Sequence, residues 1–437
     1  MIQGIIFILL FIAGAGFFTY NLRKVIRNIR LGRDEERTDN HGERWMTMAR
    51  VALGQSKMVK RPIAGILHII VYAGFVIINI EVLEIIIDGI FGTHRIFAQP
   101  LGSLYGILIG GFEILAISVL LACVVFLIRR SILKLKRFMS RELAGWPRTD
   151  ATLILVTEIV LMSLFLTMNA ADYVLQQRGA DHYIVAGLFP VSSLFANFLT
   201  GYSTATLIAI ERVCWWLHIT GIFLFLNYLP YSKHFHILLA FPNTWYSNLQ
   251  KKGKFKNLES VTNEVKLMID PSAAVPAADP SAAPVRFGAK DIQDLTWKNL
   301  LDAYSCTECG RCTSVCPANI TGKLLSPRKI MMDTRDRMEE VGKNLDKHGP
   351  AHDDGKALLH DYILPEEIWA CTTCNACVEA CPVNIDPLSI IVDIRRFMVM
   401  EQSAAPAELN GMFTKIENNG APWQFSPADR LNWVNQD

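Results

Sequence analysis

Long runs of apolar positions dominate the first 230 residues, and a helical alternation of polar and apolar positions takes over from about residue 287. Residues 2–20 carry no charged side chain, and further apolar stretches follow at about 62–90, 101–128, 151–175 and 204–230. Stretches of about 20 apolar residues carry a helix across the hydrocarbon core of a bilayer. The pattern predicts five membrane-spanning helices. No basic residue precedes the first run, while Arg23, Lys24, Arg27 and Arg30 follow it. A cleavable signal peptide has the opposite order, so the run reads as a span with its N-terminus outside.

Basic residues give the orientation, because short cytoplasmic loops are enriched in them. The loop from Arg23 to Arg61 is strongly basic, and so is the one holding Arg129, Arg130, Lys134, Lys136, Arg137, Arg141 and Arg148. The short loop around Arg95 and the segment 176–203 around Arg178 hold one basic residue each. Five spans starting outside then put the C-terminal half in the cytoplasm, in agreement with Lys251, Lys252, Lys254 and Lys256 just after the last span. The stretch from His182 to Leu199 is apolar but interrupted by Pro190, and reads as an interfacial helix on the outer side.

Past the membrane half, residues 271–285 are rich in Ala and Pro and read as a semi-extended linker. Ile292, Leu295, Leu300, Leu301 and Tyr304 then recur at helical spacing. They lead into Cys306, Cys309, Cys312 and Cys316-Pro317; a second run follows at Cys371, Cys374, Cys377 and Cys381-Pro382. Both fit C-x2-C-x2-C-x3-C-P, by which bacterial-type ferredoxin domains hold two cubane [4Fe–4S] clusters. Three thiolates on a tight turn cap one cubane, while the fourth reaches the neighbouring one. One cluster is thus expected on Cys306, Cys309, Cys312 and Cys381, and the other on Cys371, Cys374, Cys377 and Cys316. Structural zinc takes four ligands, usually as two pairs, and disulfide frameworks belong to small secreted domains. Neither suits eight cysteines in two Cys-Pro runs. The roughly fifty residues between the runs predict intervening helices, and Cys123 and Cys214 read as packing residues in apolar helices.

Composition supports this division. With 51% hydrophobic residues, 19% charged residues and a mean hydropathy of +0.26, the chain is too apolar for an ordinary soluble protein. The formal net charge of +2 identifies no partner. Nucleic-acid binding has no support, since the basic residues flank apolar spans instead of forming a patch with aromatics.

Ionisable side chains inside spans are costly and mark candidate functional positions. His68 lies in the second span, and His218 and His236 lie in or at the end of the fifth. In one continuous helix, His218 and His236 would share a face about 27 Å apart. His68 and His236 fall at matching cytoplasmic depth, where a haem iron would be held between two helices; His218 lies deeper. His234 is offset by two residues and expected to face elsewhere. Arg212, beside Glu211, is a candidate partner for a haem propionate or a quinone oxygen. Glu81, Glu84 and Asp88 share one helical face near the outer end of span two. They either relay protons to a quinone or face water, and Glu113 and Glu158 are weaker versions of the same idea.

These residues resemble a known family. Spans two and five look like the gamma (cytochrome b) subunit of respiratory nitrate reductase and related membrane subunits of heterodisulfide reductase. The segments that carry the likeness are Leu67-His68 through Phe75, and Leu217-His218 through Pro230, Ser232, Lys233 and His236. That family has a second histidine ten residues after the first, where this chain has Ile78. The resemblance therefore implies one bis-histidine haem b on His68 and His236. A second haem, which His218 would share, lacks a ligand. The cysteine half resembles the cluster subunits of heterodisulfide reductase and of glycerol-3-phosphate, lactate and glycolate oxidoreductases, as does the tail from Glu417 through Trp423 to Trp433. In those proteins a domain with Cys-Cys-Gly motifs often follows. None occurs here, which implies a separate soluble partner chain carrying it.

The expectation is a mainly α protein with a five-helix transmembrane domain (1–245), a cytoplasmic segment and linker (246–285), an α-helical dicluster ferredoxin-type domain (286–400) and a partner-docking tail (401–437). It would sit in the bacterial inner membrane among its lipids and link quinone through haem b and two clusters to its partner. The alternatives are a haem-free tethered ferredoxin and a proton-translocating subunit.

Overall fold

The computed structural model describes residues 2–274 and 286–435; most of the Ala/Pro-rich linker (275–285) lies outside them. Five helices are long and apolar enough to cross a membrane: α1 (Ile2–Ile29), α2 (Pro62–Phe91), α3 (Ser103–Leu127, prolonged to Ile132), α4 (Trp146–Gln177) and α5 (Thr204–Tyr228). Their packed faces share a core that includes Phe7, Ile78, Phe112, Phe165, Ile219 and Phe223. Ile5, Leu9, Phe75, Leu121 and Leu224 remain exposed on the outside of the bundle. An apolar outer face is what a lipid-embedded bundle requires, since every backbone polar group is already paired within its helix. The chain is a membrane protein. Helices α2 and α3 approach closely at Gly74, where an added Cβ would overlap a Val119 methyl carbon.

Helix α5 does not continue to His236. Pro230 supplies no backbone N–H, the chain tightens into a 3-10 turn at Leu229–Tyr231, and Ser232 adopts an extended conformation. A second 3-10 turn, Lys233–Phe235, precedes a new helix, α6 (His236–Trp245). Asp150 at the start of α4 pins the break, accepting from Ser232 Oγ at 2.6 Å and from the Lys233 N–H at 3.2 Å. The expected face shared by His218 and His236 along one helix is therefore replaced by a broken path. The expected interfacial helix at 182–199 shrinks to Ser192–Ala196. Its N-terminal Val191 and Ser192 N–H groups donate to the buried Glu113 carboxylate of α3.

The second half is helical as well, with no strand among the described residues. Its main elements are α7 (Trp297–Ser305), α8 (Pro327–His348) between the cysteine runs, α9 (Pro387–Met400) and α10 (Ala407–Asn419). This half is not loosely tethered. Val25, Leu229, Phe235 and Leu239 of the membrane half belong to the same core as Leu300, Ile330, Ile391 and Phe397. Helix α1 reaches out of the bundle, where Asn28 donates to the Tyr304 hydroxyl at 3.0 Å and Lys24 pairs with Asp346 at 3.0 Å. Arg311 donates to the carbonyls of Lys57 and Met58, and Arg328 to Glu142 and the Arg137 carbonyl.

Arg337 joins three parts of this half. Its buried guanidinium contacts Asp291 at 2.7 Å, Asp354 at 2.6 Å and the Lys356 carbonyl at 2.7 Å. Arg337→Ala strands carboxylates that have lost their counter-charge and is expected to destabilise the domain by ~3–5 kcal/mol, read as an earlier loss of cluster absorbance on thermal unfolding. The hydrogen bond from Arg337 also holds the Asp354 carboxyl down at about 2. A depressed carboxyl stabilises the fold above its unfolded value of about 4 and stops doing so as pH falls through its folded value. The same variant should lose that part of the acid dependence.

Candidate redox centre

Helix α7, with the Thr296 side chain accepting from the Asn299 N–H at its start, delivers Cys306 at its C-terminal end. The next cysteines sit on a loop in which Glu308 (φ 55°) and Gly310 (φ 70°) flank Cys309 in the left-handed region. The second run repeats this, with Thr373 (φ 56°) and Asn375 (φ 61°) flanking Cys374. Left-handed residues on both sides curl the loop tightly, so its thiols can converge on one body. At Gly310 a Cβ would lie 2.6 Å from Arg328 Nη1, and that arginine is itself fixed by Glu142. Gly310→Ala is accordingly expected to lower the iron bound at the first run, as measured by iron content and by the electron paramagnetic resonance signal of the reduced protein.

Thiols of the two runs lie near enough to influence one another. Burial pushes Cys381 up to about 12, and Cys309 and Cys306 add to it although they belong to the other run. Burial likewise raises Cys371, with Cys316 and Cys374 contributing. Cys306 and Cys377 are also held at about 12 by burial. Such thiols keep their protons until a metal displaces them. Among the described residues no three His, Cys, Asp or Glu side chains converge on one point. Cys374 is exposed, whereas Cys306, Cys316, Cys377 and Cys381 are buried.

A cavity of about 430 Å³ runs from this loop into the bundle. His68, His218, His234 and His236 line it, together with Glu308, Cys309 and Arg311 of the first run. The His68 and His236 rings lie with centroids 6.3 Å apart, their planes tilted by 41°. Two imidazoles on opposite sides of one iron, at about 2 Å per nitrogen, give a centroid separation of about 6 Å, so this pair fits a haem. His236 Nδ1 lies 3.1 Å from the Lys233 carbonyl, which orients the ring and leaves Nε2 for a ligand. The buried His68 Nδ1 has no protein partner. Arg130 and Arg137 on the α3–α4 connection also line the cavity and could meet propionates. Sequence reasoning passed over them, although their place in a basic loop beside the span was a usable signal.

Other expected site residues fall elsewhere. His234 lines the cavity despite its offset, because the 3-10 turn brings its ring within 5.6 Å of His236. Arg212 and Glu211 do not line it. They pair with each other, Glu211 accepts from Tyr183 at 2.9 Å, and Arg212 lies over the Trp215 ring. Glu81, Glu84 and Asp88 face neither water nor the cavity. Glu84 accepts from Tyr105 at 2.8 Å and Asp88 from the Arg95 N–H at 2.8 Å, while the Arg95 guanidinium bonds Asp172 at 2.6 Å and Asn169 at 2.9 Å. Glu81 is buried nearby with one oxygen unpartnered. This network ties α2, α3 and α4 together at the end remote from the clusters.

Residues 305–385 match the family model of a 4Fe-4S dicluster domain. Iron–sulfur electron transfer is thus the chemistry of the second half. Along nearly its whole length the chain is similar to the probable iron-sulfur-binding oxidoreductase FadF of Bacillus subtilis, at 28% identity over 95% of this chain and 58% of that protein. It is also similar to the EtfAB:quinone oxidoreductase of Syntrophomonas wolfei, at 27% identity over 92% of this chain and 55% of that protein. A shorter match, 28% identical over 34% of the chain and 36% of the relative, is to one of the subunits of the dihydromethanophenazine:CoB--CoM heterodisulfide reductase of Methanosarcina acetivorans. The chain spans little more than half the length of the first two relatives. No solved structure matches.

Proposed function

We propose that this chain is the membrane electron-transfer unit of a quinone-linked oxidoreductase, with a haem b on His68 and His236 and two [4Fe–4S] clusters on the cysteine runs. The observation that carries this reading is the His68–His236 pair in a cavity whose other end is lined by Cys309. When bound, the haem and clusters supply one-electron steps that no side chain provides. The chain orients His236 through the Lys233 carbonyl. It also clamps the cluster loop against the histidine loop through Lys233, Glu308 and Arg335. Burial raises the Glu308 carboxyl, but Arg335 and Lys233 outweigh it and hold the group below its usual value, ionised between two cations.

A quinone as membrane substrate is supported by the likeness to the EtfAB:quinone oxidoreductase of Syntrophomonas wolfei. A soluble iron–sulfur oxidoreductase unit with Cys-Cys-Gly motifs would be the redox partner, and the exposed Phe413, Ile416, Trp423 and Trp433 of the tail would meet it. The basic loops lie on the cluster side, which by the distribution of basic residues is the cytoplasmic face of a bacterial inner membrane. An optical redox titration with haem and iron counted on one sample tests the reading. About one haem and eight non-haem irons per chain are expected. Iron without a Soret band would leave a tethered ferredoxin.

A further inference from the structure

The half of the cavity beyond the His68–His236 pair contains two groups that the haem does not use. His218 of α5 is buried, and its Nδ1 lies 3.0 Å from the Leu161 carbonyl of α4. That bond assigns the proton to Nδ1 and leaves Nε2 as a bare acceptor. Ile78 of α2 lines the same cavity. Glu158 precedes Leu161 by three residues, on the same face of α4, and lines the same cavity. Its carboxyl has no hydrogen-bond or ion-pair partner among the described residues, although it lies about 18 Å along the helix from Trp146. An unpaired carboxyl at that depth is expensive. The surrounding wall is apolar, with Gly74, Val119, Met162 and Ile222.

An apolar slot with two separate proton acceptors suits a flat ring that carries a hydroxyl at each end. We propose that this half of the cavity binds the quinol ring, with His218 and Glu158 as the two groups that exchange its protons. The inference rests on the quinone-linked function above and assigns its site. In quinol oxidation one O–H bond breaks toward His218 Nε2 and the other toward the Glu158 carboxylate. The two hydroxyls become carbonyls, and the two electrons released would be taken up by the one-electron acceptor that His68 and His236 would hold. Quinone reduction is the same step reversed. Neither group ligates iron in this assignment, so removing either leaves the haem in place.

The test uses the full-length protein in detergent, its Glu158→Gln and His218→Gln variants, and a short-chain azido-naphthoquinone as photolabel. Label is expected on peptides that contain Val119 or Met162, and much less of it in both variants. Reduction of the protein by a short-chain naphthoquinol should slow by about a hundredfold or more, the usual contribution of a positioned proton carrier, with the Soret band unchanged. Labelling confined to the network around Glu81, unaltered quinol kinetics, or two haems of which His218→Gln removes one would each overturn the assignment. If the wild-type protein holds no haem, the functional reading fails, while the labelling pattern still decides this site.

Discussion

His236→Ala is expected to remove the Soret absorption and to leave the non-haem iron at the wild-type level. Even orienting partners of a ligating histidine change metal affinity by about 10–100-fold, and loss of the ligand itself is expected to exceed that. His68→Ala should act alike, because the two rings lie with 6.3 Å between centroids and neither substitutes for the other. His218→Gln should not, since that ring is tied to the Leu161 carbonyl of α4. His234→Ala is the stricter control. His234 lines the same cavity 5.6 Å from His236, so an intact Soret band in this variant would separate ligation from mere proximity. Haem retained in His236→Ala would refute the pairing. Visible spectra, pyridine haemochrome content and iron on one preparation decide all four cases.

Cys381→Ala should halve the non-haem iron, from about eight to about four per chain. The informative experiment is the double variant Cys306→Ala with Cys381→Ala. Cross-ligation puts both cysteines on one cluster, so the double variant keeps about four irons. If each run held its own cluster, the same pair would destroy both and leave almost none. The C-x2-C-x2-C-x3-C-P spacing, in which the fourth cysteine of each run reaches the other cluster, favours the first outcome. Cys316→Ala with Cys371→Ala should behave in the same way for the other cluster. Because the thiols at Cys306 and Cys381 are raised to about 12 by burial, the ligand sites hold neutral thiols until iron arrives, and cluster assembly should release protons.

Much of this protein was legible before its structure. Span length and hydropathy identified α1 to α5, because a helix in lipid must satisfy its backbone locally and therefore leaves an uninterrupted apolar run. The cysteine spacing located the cluster loops for a similar reason: ligands on one tight turn must be close in sequence. The structure adds to that local pattern the left-handed residues around Cys309 and Cys374. The helix break before His236 was less legible. Pro230 signals it, but the extended Ser232 that completes it is held by Asp150 from another helix. The burial of Glu81, Glu84 and Asp88 was equally hidden, because their partners Arg95, Tyr105 and Asp172 come from a loop and two other helices.

The sequence by itself determined five spans, two cysteine runs and the histidines in and beside spans two and five. All of these depend on spacing along one segment. Only the tertiary structure decided that the cluster half shares a core with the bundle, that Cys309 and His236 line one cavity, and that Glu158 faces it beside His218 while Arg212 does not. Such meetings join residues up to hundreds of positions apart. They depend on how whole helices pack, and no local period records that.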